Sequence, residues 1–474
     1  MQRSQQTRFR SPWQFSSRDL EHHIHLRKDQ FFDFVLKMST TLRTTRRAQD
    51  LNIFSMCLLY LRKLTKNTPF SVLATDFALS DHRAASKIFR RVLCNDFKTN
   101  TAIPAVIDAQ DNINQHEIDL LLQQAYDHMP VFFKELVRDF HDPSGNNRTG
   151  VLICSDATYL DVTNSMDLEL QKYLYYLPRS GHTVKLVSIT SMIGKFLSVL
   201  PLCSSQSPSS GDAYLMATFL RFQGVNNYLK AILRGNGRFF CILVVDSGYV
   251  VVAPNMPQQL QNIPSVVDVC RECHCVLLHP SARHYPYHFE RNSSNKIVKC
   301  PRNDALKTLT ENVIRFTRML RKQCEQSHAG VKQMCQILDC KKLPLTFLQP
   351  FSRQQLRKYG IQTFINSPKL AFIVIACLSF YNTYHPGFEI SFMDQNESIV
   401  AAQMFLRRLF IENPLSYDIW DGIRFTTSRD NDWSEVTIGQ LKQNNSILGF
   451  PQLAPNEINP GRHSYHHNTI VIRN

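Results

Sequence analysis

Apolar residues recur along this chain in two patterns, helical at first and mixed afterwards. Helical spacing predicts four helices in the first part, over 50–64, 68–76, 81–95 and 116–140. The turn-rich segment 141–147 ends this pattern and indicates a domain boundary. Beyond it we predict strands over 151–154, 183–190, 195–200 and 239–245, and helices over 212–221 and 304–339. These elements favour an α/β fold, a mixed sheet flanked by helices, preceded by an all-α region.

Two apolar runs predict elements of the core. Residues 239–245 are apolar without alternation, which is typical of a central strand buried on both faces of a sheet. Residues 370–380 are also apolar, but the run is too short to span a bilayer and predicts a buried helix. We therefore expect no membrane partner.

The helices predicted over 50–64, 68–76 and 81–95 have the outline of a helix-turn-helix unit. Ser80 is suited to cap the third helix. That helix carries four basic residues, Arg83, Lys87, Arg90 and Arg91. Its inward face is expected to hold Ala84, Ile88 and Leu93. This distribution suits a recognition helix that contacts DNA. A plain helical bundle is the alternative, since Ala78 stands in the turn where glycine is common.

Charge and cysteine content indicate the type of binding partner and the redox compartment of the protein. Lys and Arg number 54 against 39 Asp and Glu, so the net charge is +15 and the pI about 9.3. This excess favours a polyanionic partner, because phosphate contacts release condensed counterions. A basic soluble protein without such a partner is the alternative. Thirteen cysteines, several in apolar runs, indicate thiols packed as small hydrophobes in a reducing compartment. The polar and basic residues 1–15 do not predict a secretory signal.

Three acidic residues are candidates for a catalytic site. Asp156 and Asp246 each follow an apolar strand, and a carboxylate there is costly unless it is paired or binds a cation. If the two strands are neighbours, the carboxylates repel each other and a divalent cation resolves the repulsion. Glu325 lies on a predicted helix between Arg321 and Lys332, which share its face. The alternatives are aspartates that cap turns and a solvated helix with internal ion pairs.

A cysteine-rich segment offers a zinc site as a further alternative. Its candidate ligands are Cys270, Cys273, His274 and Cys275, with His279 and Cys300 as additional ones. The spacing does not form two Cys-x2-Cys pairs, and Cys273 and Cys275 can alternate on a strand. We therefore do not expect zinc.

Several short segments occur in the order found in one family. They are the two acidic blocks at 156–159 and 245–249, the segment 171–175, Lys185 with the turn 193–195, the helix start 211–213, the spacing Arg321-x3-Glu325-x6-Lys332, the segments 375–377 and 384–386, and the motif 450–453. In this order they resemble DDE-superfamily transposases, specifically the Harbinger-like and insertion-sequence-related group. The resemblance covers about 50–460, and it depends on the order and spacing of the segments together.

The resemblance implies an RNase H-like core and a metal-dependent DNA endonuclease or transposase. Asp156, Asp246 and Glu325 would hold two Mg²⁺ or Mn²⁺ ions, which promote phosphodiester hydrolysis and strand transfer. Arg321 and Lys332 would hold phosphates beside them, and His328 would have no role. The implied partners are double-stranded DNA, a second copy of the chain and a helper DNA-binding protein, in the nucleus or the cytoplasm.

The same reading predicts the domain organisation. We expect a flexible basic arm over 1–45, a helix-turn-helix region over 46–140, the nuclease domain over 148–390 and an extension over 391–474.

Three departures from the family pattern raise a second hypothesis. Ser247 replaces the arginine that usually follows the second aspartate, Arg318 stands in place of a tyrosine, and the segment 343–368 is longer than expected. A host-retained relative that binds DNA without cutting it is therefore the alternative function.

Overall fold

The structure is a computed structural model that describes residues 12–42, 51–99, 103, 113–138, 142–162, 171, 174–176, 180–204, 223–246, 249, 266–278, 287–291, 297–301, 321–322, 324–338 and 368–388. The predicted helix 212–221, residues 343–367 of the long segment, Ser247 and Arg318 lie outside these ranges, as do residues 1–11 and 43–45 of the predicted arm and the whole extension 391–474.

Among the described residues, seven helices precede the first strand. They are α1 Ser17–Ile24, α2 Lys28–Ser39, α3 Ile53–Lys66, α4 Phe70–Asp76, α5 His82–Thr99, α6 Gln115–Asp127 and α7 Val131–Arg138, after a short 3₁₀ turn at Pro12–Gln14. Four further helices are described: α8 Gln223–Arg234, α9 Val266–Glu272, α10 over 324–334 with helical residues at 321–322, and α11 Pro368–Tyr384. The predicted helices of the first part and the buried helix over 370–380 are confirmed within a few residues.

Two details of these helices differ from the prediction. The segment 116–140 forms two helices because Pro130 lacks the N–H that a continuous helix needs, and its carbonyl instead accepts from Phe133 and Lys134 at the start of α7. Helix α5 begins at His82, so Asp81 holds the N-cap position predicted for Ser80, and its Oδ1 accepts from the backbone N–H of Ala84 at 2.7 Å.

The strands form a mixed sheet. They are β1 Thr149–Asp161, β2 Tyr175–Tyr176, β3 Gly181–Thr190, β4 Phe196–Val199, β5 Cys203–Ser204, β6 Phe239–Val244 and β7 Val276–Leu278, with β8 Tyr287–Arg291 and β9 Ile297–Pro301 as a separate antiparallel pair. The order is β2-β3-β1-β6-β7, and β4 and β5 also pair with β3. β1 runs antiparallel to β3 and parallel to β6, and β6 runs parallel to β7. Helices flank the sheet, so the predicted mixed α/β architecture is confirmed at this level.

Each face of the sheet packs against a different core. On one face Leu160, Val184 and Leu186 join a core built from α1–α5, the end of α10 and α11. On the other face Val151 and Ile153 join a core built from α6, α8 and α9. The alternation of side chains along a strand produces this division, because successive residues point to opposite faces.

A tight turn between β3 and β4 brings α10 close to the sheet. Gly194 has φ +79°, and a Cβ there would lie 2.5 Å from Ser327 Oγ of α10. The Ser327 hydroxyl donates to the Gly194 carbonyl at 2.7 Å. Glycine is needed for both the backbone angle and the close approach. Among the described residues, no helix is both long and apolar enough to cross a bilayer.

Candidate functional site

Asp156 lies within β1 rather than at its end. We predicted a strand over 151–154 with Asp156 following it, but β1 continues to Asp161. The strand continues because Asp156 pairs with Ser188 of β3 and the ladder extends to Asp161 and Thr183. Asp156 is half-buried, and its Oδ1 accepts from the backbone N–H of Ala157 at 2.8 Å.

Asp246 lies beside Asp156 by strand register. Cys154 of β1 is paired with Val244 of β6, and each aspartate comes two residues after its member of this pair. Because residues two apart share a face, the two aspartates lie on the same face of the sheet. That is the face of Leu160 and Leu186, which α10 also covers. Asp246 is 39% exposed.

Helix α10 brings the third acid to the same region. Arg321 connects it to the sheet, because Nη1 lies 3.0 Å from Asp246 Oδ1 and Nη2 lies 3.2 Å from Glu325 Oε1. Arg321 is 14% exposed, whereas Glu325 is 52% exposed. The guanidinium therefore reduces the repulsion between two carboxylates that belong to different elements.

Lys332 fixes α10 to β1. Its ammonium donates to Thr158 Oγ1 at 2.9 Å and to the Tyr159 carbonyl at 2.7 Å. Charged hydrogen bonds of this kind contribute about 1.5–3 kcal/mol each when they are partly buried. Lys332 thus holds the helix that carries Glu325 at a fixed distance from Asp156.

Two residues next to the acids were not singled out for a role by the sequence. Cys324 and His328 are buried on α10, and Ser188 Oγ lies 2.8 Å from His328 Nε2. Burial, followed by the charge of Lys332, lowers the pKa of His328 to about 3, so the imidazole is neutral at ordinary pH. One atom each of Asp156, Cys324 and His328 lie within 4.8 Å of one another. Their four-residue spacing on a helix was the signal available beforehand.

A cavity of about 780 Å³ opens over these groups. Asp156, Glu325 and His328 line one part of it. Lys66 and Asn67, from the end of α3, line another. Asp246 does not line the cavity and is linked to Glu325 through Arg321. The cavity thus joins acidic groups of the sheet and α10 to a lysine from the helical region.

The end of α10 is hydrogen-bonded to the N-terminal helices. The backbone N–H groups of Gln336 and Ile337 donate to the carbonyls of Thr65 and Leu64 at 3.1 and 3.2 Å. His25 bridges the two parts, since its Nδ1 lies 3.1 Å from the Met334 carbonyl and its Nε2 contacts Lys66 Nζ. Burial, followed by the charge of Lys66, lowers the pKa of His25.

The predicted recognition helix α5 presents a basic stripe to solvent. Arg83, Lys87 and Arg90 are exposed, and Arg91 is half-buried. The opposite face carries Ile88, Phe89, Val92 and Leu93, with Ala85. Ile88 and Leu93 are buried as expected, whereas Ala84 is only half-buried because Ala85 takes the inward position. The stripe is separate from the cavity.

The cysteines considered for zinc are packed apart from the exposed histidine. Cys270, Cys273 and Cys275 are buried in the second core, and His274 is exposed with a left-handed φ of 52°. Burial raises the pKa of Cys273 to about 11. The side chains of His279 and Cys300 lie outside the described residues.

No protein-family model, no curated protein and no solved structure matches this chain.

Proposed function

We propose that this protein is a metal-dependent DNA endonuclease of the DDE-transposase kind. The observation that carries the proposal is the approach of three acids from separate elements, Asp156 of β1, Asp246 after β6 and Glu325 of α10. They are far apart along the chain, but the register of β1 with β6 and the two ion pairs of Arg321 bring them to the same face of the sheet. Exposure supports a role beyond packing, because the side chains of Asp246 and Glu325 are 39% and 52% exposed and Asp156 and Glu325 line the cavity.

The sheet supports an RNase H-like assignment within this proposal. β1, β3 and β4 form an antiparallel meander, and β6 and β7 continue the sheet in parallel with β1. An RNase H-like domain has a mixed sheet of this kind flanked by helices. The acids at the β1–β6 junction then occupy the edge at which such a domain acts.

The donor atoms fit divalent cations. Asp156, Asp246 and Glu325 supply carboxylate oxygens, the ligands that Mg²⁺ and Mn²⁺ prefer. Their three negative charges are opposed by the Arg321 guanidinium, whose contacts reach only two of them. When bound, two such ions would supply Lewis acidity for cleavage of a phosphodiester bond.

The protein's own residues would position the nucleic acid. Lys66 lines the cavity together with Asp156 and Glu325, so it is suited to contact a phosphate of the cleaved strand. Lys332 is bonded to β1 and is better suited to position Glu325 than to hold DNA directly. The stripe of Arg83, Lys87 and Arg90 on α5 would contact the phosphates of double-stranded DNA farther from the cleavage point.

Cleavage of plasmid DNA tests the proposal directly. We expect the full chain to nick supercoiled plasmid in Mg²⁺ or Mn²⁺ and to lose activity in EDTA. Asp156→Asn or Glu325→Gln should reduce the rate by about a hundredfold or more, since each tenfold corresponds to about 1.4 kcal/mol of lost stabilisation.

Asp268→Asn is the matched control. Asp268 is an exposed acid on α9 that forms a salt bridge with Arg271 at 3.5 Å, outside the proposed site. The Asp268→Asn variant should nick DNA at the wild-type rate. Equal activity of wild type and Asp156→Asn would refute the nuclease assignment.

A DNA-binding protein without nuclease activity is the second candidate. It is favoured by Arg321, which already satisfies oxygens of Asp246 and Glu325, and by the exposed basic stripe. This candidate predicts DNA binding that is independent of divalent cations and of Asp156→Asn. Nuclear location, a second copy of the chain and a helper DNA-binding protein belong to the nuclease proposal and remain part of it.

A further inference from the structure

A mixed set of metal ligands lies beneath the cavity. Asp156 of β1 and Cys324 and His328 of α10 bring a carboxylate oxygen, a sulfur and a ring nitrogen within 4.8 Å of one another. Among the described residues, this is the group of three His, Cys, Asp or Glu side chains whose ligand atoms all lie within 4.8 Å of one another. Cys324 is fully buried and His328 is 5% exposed, while Asp156 and His328 also line the cavity.

We propose that Asp156, Cys324 and His328 form a site for one zinc-class transition-metal ion. Thiolate and imidazole are ligands that Zn²⁺ prefers and Mg²⁺ does not. Three protein ligands beside an open cavity leave the fourth tetrahedral position to water or to a bound anion. The site therefore differs in chemistry from an all-carboxylate magnesium site, although the two would share Asp156.

The surroundings orient these ligands. Ser188 Oγ lies 2.8 Å from His328 Nε2, and Ser188 is paired with Asp156 across the β1–β3 ladder. A hydrogen bond to one ring nitrogen is the usual means by which a metal-binding histidine is held in one tautomer. Cys324 and His328 lie one helical turn apart on α10, so small side-chain rotations bring their donor atoms together.

Charge and proton balance are consistent with such an ion. Binding converts the Cys324 thiol to a thiolate, with the S–H proton released to solvent as the metal–sulfur bond forms. The thiolate and the Asp156 carboxylate together offset the charge of a divalent ion, and the neutral imidazole adds none. A buried site with no net charge avoids most of the cost of burying an uncompensated ion.

Spectroscopy with Co²⁺ tests the site on the full chain. The protein is stripped of metal and titrated with Co²⁺, which reports sulfur ligation by a near-ultraviolet charge-transfer band. We expect one equivalent to produce this band together with the visible absorption of a tetrahedral ion. Zn²⁺ should then displace Co²⁺ and remove both signals.

Variants assign the ligands. Cys324→Ser should lose the charge-transfer band, and His328→Asn should weaken Co²⁺ binding at least about tenfold, by analogy with the loss of a bonded partner at a metal site. Cys335→Ala is the control, since Cys335 is a buried thiol near the end of the same helix but outside the ligand set, and it should bind Co²⁺ as wild type does. Far-ultraviolet circular dichroism shows whether each variant has folded. If either Cys324→Ser or His328→Asn does not fold, the remaining one of the two tests the site.

The outcomes separate this proposal from the nuclease. No charge-transfer band in wild type, or an unchanged band in Cys324→Ser, overturns the zinc-class site whatever the nicking assay gives. A band that disappears instead in Cys270→Ser would assign the ion to the second core and also overturn it. If the nuclease proposal also holds, Zn²⁺ should inhibit Mg²⁺-dependent nicking in wild type more strongly than in Cys324→Ser, because the ion would occupy Asp156.

Discussion

Arg321 lies between Asp246 and Glu325, two of the acids that the nuclease proposal assigns to metal binding. It bridges Asp246 and Glu325 and is largely buried, and its Nε has no hydrogen-bond partner among the described residues. Two ion pairs with carboxylates hold its guanidinium, one from Nη1 and one from Nη2. Arg321 is therefore suited to compete with a divalent cation for the carboxylates.

Replacing Arg321 with methionine tests this competition. Arg321→Met keeps much of the side-chain length but removes the charge, so we expect Mn²⁺ to bind about tenfold more tightly, since one unit charge a few ångströms away costs on this order. Isothermal titration of the metal-free protein with Mn²⁺ measures the change, and Arg321→Lys is the charge-retaining control. Weaker Mn²⁺ binding in Arg321→Met would mean that Arg321 organises the acids instead of competing for them.

Ala78 adopts a backbone angle that favours glycine. It has φ +47° just after α4, where its N–H donates to the Thr75 carbonyl at 3.1 Å and the N–H of Leu79 donates to the Ala74 carbonyl at 2.8 Å. This is the Schellman arrangement in which glycine usually follows the helix. The sequence expectation that glycine is common in this turn thus has a structural cause.

Ala78→Gly should stabilise the protein. Relief of the left-handed strain outweighs the added freedom of the unfolded chain, so we expect a gain of about 1 kcal/mol in the free energy of unfolding. Urea denaturation measures it. Ala78→Val should change stability in the opposite direction, because a branched Cβ is poorly tolerated at positive φ. A loss of stability in Ala78→Gly would contradict this account.

At the scale of elements, helices were easier to predict from the sequence than the strand that carries Asp156. The helical repeats of α3, α4 and α5 depend on local spacing, which a single sequence displays. The predicted strand over 151–154 is shorter than β1 because Ser155, Asp156 and Thr158 interrupt the apolar run. Their polar groups are compatible with a strand only because β3 and α10 provide partners from far along the chain.

The candidate site shows the same limit. The three acids could be chosen from their positions after apolar runs and within a basic helix. The bridging role of Arg321 and the closeness of Cys324 and His328 to Asp156 depend on how α10 lies across the sheet. The local sequence pattern does not predict how α10 is oriented on the sheet.

His25 couples the packing of α10 against the N-terminal helices to pH. Burial and Lys66 lower its pKa below the ordinary value of 6.5, so the unfolded chain takes up the proton more readily than the folded one. Its contribution to stability is therefore complete above about pH 6.5 and is lost as the pH falls below that value.

His25→Asn should reduce this pH dependence. Asparagine tolerates the left-handed φ of 59° that His25 adopts at the end of α1, and it does not titrate. Urea midpoints compared at about pH 7.5 and about pH 5.5 should differ less in the variant than in wild type. Other histidines contribute equally to both proteins, so the difference between them isolates His25. Identical pH dependence in the two would exclude His25 as a contributor.

At the scale of the whole molecule, the helical region and the sheet share one core. Side chains of α1–α5 pack with α11 and with Leu160 and Leu186 of the sheet, so they surround the face that carries the acids. A ligand held by α5 is thereby tied to the same rigid packing as the cavity. The proposed nuclease would use this arrangement to bind DNA at α5 and cut it at the cavity.

The basic stripe on α5 should dominate DNA binding if this description is correct. Changing Arg83, Lys87 and Arg90 together to alanine removes three exposed charges from one helix face while leaving its buried face unchanged. Each phosphate contact contributes about 0.9 to the slope of log affinity against log salt concentration, so the slope should fall by about 2.7 if all three bind phosphates. Fluorescence anisotropy with a labelled duplex at several salt concentrations measures the slope.

The matched control changes Arg27, Lys37 and Arg271 to alanine, since these exposed bases form local ion pairs elsewhere. An equal fall in both triple variants would show that binding follows net charge alone and that α5 has no special part in it.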